Sequence, residues 1–391
     1  MIYRDALGTI ERMAKGFPVI AITGPRQSGK TTLAKLAFPE KPFVSFDDEQ
    51  MRTVATMNPQ DFLLAFPDGC IVDEAQRVPK IFNAVKYYVD KASSRMGLYI
   101  LTGSNQFNLK RGITESLAGR LAYINLLPFS VGELSRAGIL TDDPFSVMVK
   151  GQYPPLYDRD VDPQDWYQAY IETYIERDVG SLVNPGNKLA FKKFISLCAL
   201  RSGQLLVMSA LAQECEVSIP TISSWLSILE SSFIVYLMEP FRSNLGKRLT
   251  KTPKLFFLDS GLLCHLLRIH TREELILSPY KGHVTETFAI NELLKERFNQ
   301  GRPPELSFYR DKNGLEVDAI AQWNTRVAIE VKSSTSPNTD FKKNLMKFVA
   351  LNENTTYETK VFYLGDRLFT IDGIDYVPWQ KWERHVDGHT G

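Results

Sequence analysis

The sequence predicts an α/β chain: a parallel-sheet core first, then a helical region, then an α+β domain. Three observations carry that prediction. The apolar run Phe17-Pro18-Val19-Ile20-Ala21-Ile22 leads into the glycine-bearing turn Gly24-Pro25-Arg26-Gln27-Ser28-Gly29-Lys30-Thr31, and Thr32 to Ala37 reads as a helix leaving it. Strand-like and helix-like segments then alternate to about residue 148, which implies a parallel sheet with helices on both faces. The run Gln152-Tyr153-Pro154-Pro155 breaks that alternation, and the chain beyond it is helical first and mixed later.

In chain order, the core strands are expected at Val19–Thr23, Phe43–Asp47, Cys70–Asp73, Leu98–Thr102 and Ala122–Leu126. A helix from Pro163 to Val179 carries Trp166, Tyr167, Tyr170 and Tyr174, an aromatic set read as packing. Ser209–Cys215, a short turn at Val217-Ser218 and Pro220–Glu230 read as helix-turn-helix, with Ser218 as cap and Pro220 in the first turn. A strand at Phe233–Glu239 and a basic hairpin from Arg242 to Lys254 complete a winged helix. The last region holds a helix at Val284–Phe298 and strands near Leu306–Tyr309, Glu316–Gln322, Arg326–Lys332 and Lys360–Leu364. The domain reading is therefore 1–148 parallel-sheet core, 149–186 helical lid or linker, 187–270 winged helix and 271–391 α+β domain.

Composition narrows the classes. At 391 residues the chain is long enough for two to four domains with sizeable cores. With 44% hydrophobic and 23% charged residues it reads as globular, not disordered. A formal net charge of +1 excludes polyanion binding by bulk charge, so any nucleic-acid surface has to be a local patch. Cys70, Cys198, Cys215 and Cys264 form no C-x-x-C pair, which argues against zinc and against a disulfide framework. Met1 to Lys15 lacks the apolar core of a secretory signal, and no run approaches the ~20 apolar residues of a membrane span. The expected location is cytoplasmic, without membrane attachment.

Gly24 to Thr31 fits the P-loop pattern G-x-x-x-x-G-K-[ST]. Backbone N–H groups of such a turn point at one spot, and the following helix adds its N-terminus, so the turn is an anion site. Gly24, Pro25, Arg26, Gln27, Ser28, Gly29, Lys30, Thr31 and Thr32 are the expected ATP cradle, with Lys30 on the β and γ phosphates and the Thr31 hydroxyl on Mg²⁺. Ile71-Val72-Asp73-Glu74 is an apolar strand ending in two carboxylates. Asp73 suits the metal and Glu74 suits the attacking water. Tyr99-Ile100-Leu101-Thr102 runs into Gly103-Ser104-Asn105-Gln106, where Ser104 and Asn105 both stand as γ-phosphate or water contacts. Arg111 and Arg120 are candidates for a transition-state arginine, and Arg120 is preferred because it directly precedes the fifth strand. A finger there would enter a neighbouring subunit, which carries with it a homo-oligomer.

These stretches, with Val72-Asp73-Glu74-Ala75-Gln76-Arg77-Val78-Pro79, Leu117-Ala118-Gly119-Arg120 and Pro253-Lys254-Leu255-Phe256-Phe257-Leu258-Asp259-Ser260-Gly261-Leu262, resemble the prokaryotic AAA-superfamily ATP-binding proteins with a C-terminal domain of unknown function. The resemblance covers most of the chain. It implies an AAA-type ATPase core, a winged-helix segment and a restriction-endonuclease-like C-terminal fold, and it implies no substrate.

Asp318 followed by Glu330-Val331-Lys332 fits the PD-(D/E)xK pattern. Residues two apart on a strand share a face, so Glu330 and Lys332 point to one side, and a hairpin turning at Trp323-Asn324-Thr325 brings Asp318 near them. Glu286, on the preceding helix, adds a carboxylate. Asp318, Glu330 and Glu286 would hold Mg²⁺, with Lys332 on the developing phosphate charge. In the winged helix, Arg242, Lys247, Arg248, Lys251 and Lys254 crowd the wing for phosphate contact, while Ile219 to Glu230 carries no basic residue for reading bases. The leading reading is Mg²⁺-dependent ATP hydrolysis coupled to DNA binding through the winged helix and C-terminal domain, with metal-dependent DNA cleavage as a further output. The alternative is a slow nucleotide-dependent switch or scaffold that recruits a protein partner without acting on DNA.

Overall fold

The computed structural model describes residues 2–92, 94–103, 117–179, 187–241 and 251–386, and within these not the side chains of 176–179 and 383–385. Ser104, Asn105, Arg111, Arg242, Lys247 and Arg248 lie outside the described residues. The chain divides into two compact units: Met1–Phe129 with Ser231–Phe233 and Arg297–Pro303, and Ser130–Glu230 with Ile234–Glu296 and Pro304–Gly391.

The first unit is built on five parallel strands, β1 (Val19–Thr23), β2 (Phe43–Ser45), β3 (Ile71–Asp73), β4 (Tyr99–Gly103) and β5 (Leu121–Asn125), in the order β2-β3-β4-β1-β5. All five residues of β1 are buried, as a central strand covered on both faces requires. Alternate residues feed two cores. Val19, Ala21, Val72 and Leu101 pack with Phe82 and Val85 of helix Ile81–Lys91. Ile20, Ile22, Ile71, Ile100 and Ile124 pack with Leu33 of helix Lys30–Ala37 and with Ala6 and Ile10 of helix Ala6–Ala14. Each fully buried Leu, Ile or Phe there contributes about 1.5–3 kcal/mol. β4 lies between β1 and β3, so the three strand ends carrying Gly24, Asp73 and Gly103 stand side by side.

The second unit opens with helices Val131–Arg136, Pro144–Lys150, Pro155–Asp158 and Pro163–Tyr170. Ser130 and Glu133 form a reciprocal capping box on the first of these. The expected Pro163–Val179 helix changes character midway and is π-helical over Ile171–Val179. Trp166, Tyr167, Tyr170 and Tyr174 are buried and in ring contact with Tyr153 or one another, the packing role expected of them.

Next come helix Lys188–Leu200, β6 (Gln204–Leu205), helix Met208–Cys215, helix Ile219–Ser231, β7 (Val235–Met238) and β8 (Lys254–Phe257). The three strands form an antiparallel sheet in the order β6-β8-β7. The Thr221 amide donates to Ser218 Oγ at 3.2 Å, the cap read from sequence. Trp225 and Leu226 are buried, with the Trp225 ring against Phe191 and Phe194.

The last sheet has six strands, β9 (Leu306–Arg310), β10 (Glu316–Gln322), β11 (Arg326–Lys332), β12 (Glu358–Tyr363), β13 (Phe369–Ile371) and β14 (Ile374–Pro378), in the order β13-β14-β12-β11-β10-β9. β9, β10 and β11 are antiparallel, while β11, β12 and β14 run parallel. Helix Lys281–Asn299 is buried along most of its length, with Val284, Phe288, Ile290, Leu293 and Leu294 fully so. Among the described residues no helix is long and apolar enough to cross a membrane.

Candidate functional site

The P-loop takes its shape from residues that tolerate unusual backbone. Gly24 has φ +152, and a Cβ there would lie 2.1 Å from the Leu126 carbonyl oxygen. Gly29 caps helix Lys30–Ala37 in the left-handed region at φ 92, and Gln27 also has positive φ. The Lys30 ammonium donates to the Pro25 carbonyl at 2.6 Å, inside its own loop. Burial lowers its pKa to about 8, with the Glu74 and Asp73 carboxylates opposing that shift. The Ser28 hydroxyl is buried with no hydrogen-bond partner.

Asp73 ends β3 and gathers three hydroxyls. Thr31 Oγ1 donates to its Oδ1 at 2.9 Å, Thr102 Oγ1 donates to the same oxygen, and Ser45 Oγ reaches Oδ2 at 3.5 Å. Thr102 belongs to β4 and is a residue the sequence reading did not single out; Ser104 and Asn105, which it did, lie just beyond, outside the described residues. Glu74 follows in the left-handed region, φ 52 and ψ 42, and accepts from Gln76 Nε2. That bend turns its carboxylate off the line of β3 and close enough to raise the Lys30 pKa. Lys30, Thr31, Asp73 and Glu74 therefore converge.

The residues fit a Mg²⁺-bound nucleoside triphosphate: an orphaned hydroxyl in the turn, an ammonium held by a carbonyl of its own loop, and a hydroxyl–carboxylate pair suited to a hard cation. One brace escaped the sequence reading. Arg4, 6% exposed, donates to the Ser28 carbonyl at 2.8 Å and to the Leu127 carbonyl at 2.7 Å, and lies over the Phe129 ring. Its signal was a lone arginine at the head of an amphipathic helix, which looks the same as a solvated one. Arg120 is partly exposed and ion-paired with Asp90.

In the second unit, Glu286, Asp318, Glu330 and Lys332 come together. Asp318 Oδ2 accepts from the Val331 amide at 2.8 Å, which pins β10 against β11 at the motif. Lys332 Nζ donates to Glu330 Oε1 at 2.6 Å, and Glu330 Oε2 is buried with no partner. Burial raises the pKa of Glu286 and of Glu330 to about 8, against the pull of Lys254 on the first and Lys332 on the second. Asp318 is raised as well, again by burial.

Lys254 requires a correction. Sequence reading set it on an exposed wing facing phosphates, yet it is 2% exposed. Its Nζ lies 2.7 Å from Glu286 Oε1 and 2.6 Å from Glu316 Oε1. The reason is its place as the first residue of β8, paired to Met238 and directed inward. A charge count along the hairpin cannot find this, because the compensating carboxylates lie 32 and 62 residues away. The donor set thus does not fit a divalent cation as arranged: the Lys254 ammonium is already ion-paired to Glu286, one of the three expected ligands, and shares itself with Glu316. Among the described residues no three of His, Cys, Asp and Glu are grouped to hold a metal ion.

Residues 16–135 match the family model of an AAA domain. Residues 141–273 and 281–382 match two families described as domains of unknown function, DUF8612 and DUF4143. Uncharacterized proteins of Mycobacterium tuberculosis and Mycobacterium bovis are each 29% identical over 338 residues, covering 85% of this chain and 74% of the relative. Among solved structures, the Walker-type ATPase PABY2304 of Pyrococcus abyssi is 17% identical, covering 67% of this chain and 95% of that one with a TM-score of 0.45. AMPPCP-bound DnaA of Aquifex aeolicus is 13% identical, covering 57% and 85%, with a TM-score of 0.27.

Proposed function

We propose that this chain, which carries a P-loop AAA ATPase domain at residues 16–135, hydrolyses ATP with Mg²⁺ and couples that cycle to DNA binding. The observation that carries the reading is the convergence of Lys30, Thr31, Asp73 and Glu74 at the ends of neighbouring parallel strands. The turn's N–H groups bind the phosphates, and Lys30 leaves the Pro25 carbonyl to meet the β and γ oxygens. Thr31 and Asp73 would hold the metal ion, which would supply positive charge against the phosphates. Glu74 accepts a proton from the attacking water, which bonds to the γ-phosphorus as the bond to the ADP oxygen breaks. Arg120, released from Asp90, supplies positive charge to the transition state of a neighbouring copy in a homo-oligomer.

DNA binding is supported by the order helix, strand, helix, helix, strand, strand across residues 188–257, which suits a winged helix. Its Ile219–Ser231 helix exposes Ser223, Ser224 and Ser227 and no base-reading arginine, so backbone and shape contacts carry the affinity. The four cysteines are buried thiols, consistent with a reducing cytoplasm. The test is ATP turnover of the full chain with single-stranded, duplex and branched DNA at moderate salt. Stimulation by at least one form is expected. No stimulation by any form would remove DNA from the reading and favour the protein-recruiting switch.

A further inference from the structure

The six-stranded sheet and Asp318, Glu330 and Lys332 support a nuclease-like reading of the C-terminal domain, and the inference here rests on that reading. In that reading the cation between the carboxylates is a divalent metal. Four carboxylates stand in and around the cluster: Glu286, Glu316, Asp318 and Glu330. Three cations answer them, each at contact distance. Lys254 bridges Glu286 and Glu316 at 2.7 and 2.6 Å, Arg310 reaches the other Glu316 oxygen at 3.2 Å, and Lys332 holds Glu330 at 2.6 Å. Lys254 also acts electrostatically on Asp318, the carboxylate at the centre of the motif.

We propose that Lys254 is the resident cation of this cluster, an internal ammonium bound to Glu286, one of the carboxylates to which the nuclease-like reading assigns a divalent metal. An ammonium and a divalent cation compete for Glu286, and a hydrated Mg²⁺ must displace a lysine that is held by two carboxylates and buried. Around its two carboxylate partners Lys254 also meets the field of Asp318 and His283 and lies 5.4 Å from the Phe308 ring centroid. Glu330 Oε2, buried and without a hydrogen-bond partner among the described residues, is an acceptor that a metal would use. Lys254 thereby decides whether the cluster is metal-competent, although it lies outside the PD-(D/E)xK pattern and comes from the strand β8 of a different sheet.

The experiment is a Mn²⁺ titration of nucleotide-free full-length protein followed by electron paramagnetic resonance, on wild type, Glu330→Gln, Lys254→Met and the double variant. Sites at the P-loop are common to all four and cancel. Wild type and Glu330→Gln are expected to bind the same amount of Mn²⁺. Lys254→Met is expected to gain one Mn²⁺ site that wild type lacks, and Glu330→Gln in the same chain should abolish it. A wild-type site that Glu330→Gln removes would overturn the proposal, and this comparison needs no Lys254 variant to fold. A folded Lys254→Met protein with no new site would overturn it as well. Cleavage of single-stranded and duplex DNA with Mn²⁺ separates the underlying reading: a Lys254→Met protein that binds the metal and cuts nothing supports the proposal and sinks the nuclease-like reading.

Discussion

Under the proposed function, Lys30 holds phosphate and Glu74 directs the attacking water. Lys30→Ala is expected to abolish ATP turnover, because its ammonium is the positive side chain already lodged in the turn. Glu74→Gln should keep nucleotide affinity while turnover falls about 10²–10⁴-fold, the span typical of a lost general base. Phosphate release and nucleotide binding measured on the same preparations check both, and full turnover in Glu74→Gln would sink the assignment. Arg4→Ala removes two hydrogen bonds that brace Ser28 and Leu127, for an expected loss of about 1–3 kcal/mol in denaturant unfolding.

His265 gives a pH dependence. It lines a cavity of about 290 Å³ with Lys150, Asp162, Tyr167, His270 and Arg272, and its Nδ1 is buried without a partner. Burial first, then the nearby His270, lowers its pKa below the ordinary value of about 6.5. The neutral ring is the folded form, so the stability it contributes is present above that value and is lost as pH falls through the lower folded one. His265→Gln should flatten the acid side of a Tm-versus-pH curve, and an unchanged slope would contradict this.

At the scale of elements, the stretch Pro253–Leu262 shows what a recognisable sequence can be for. Asp259 caps helix Ser260–Leu266 through the Leu262 amide at 2.8 Å, and it also accepts from the Gln152 amide and the Tyr167 hydroxyl. Gly261 lets that helix approach Gly151 closely, since a Cβ there would sit 2.4 Å from the Tyr167 hydroxyl and 2.7 Å from the Gly151 Cα. Gly261→Ala is expected to cost about 1–3 kcal/mol by overpacking, read as a lowered Tm. The five core strands were legible because each is a short apolar run ending at a turn, and their ends came within a residue or two of the reading. β13 and β14 were overlooked, although the Asp372-Gly373 pair between them, both at positive φ, is a recognised two-residue hairpin signal. The switch to π-helix after Tyr170 has no counterpart in the hydrophobic pattern.

Across the whole molecule the two metal-related expectations part ways. ATP turnover should require Mg²⁺ and the P-loop residues, and wild-type protein should leave DNA uncut under the same conditions because Lys254 occupies the second carboxylate cluster. Gel analysis of DNA incubated with protein, ATP and Mg²⁺ checks this, and cleavage lost in Lys332→Ala would contradict it. The order of residues was enough to specify the P-loop, the carboxylates that end the neighbouring strand, the aromatic packing helix and the two short helices at Met208–Cys215 and Ile219–Ser231, because each is written in positions close together along the chain. Local sterics and periodicity act over that range. That Arg4 braces the phosphate turn, and that Lys254 belongs to a buried carboxylate cluster instead of an exposed wing, emerges only once the chain is folded. A buried charge takes its role from whichever opposite charge the fold carries to it, and that partner lies 32 residues away for Glu286 and 62 for Glu316.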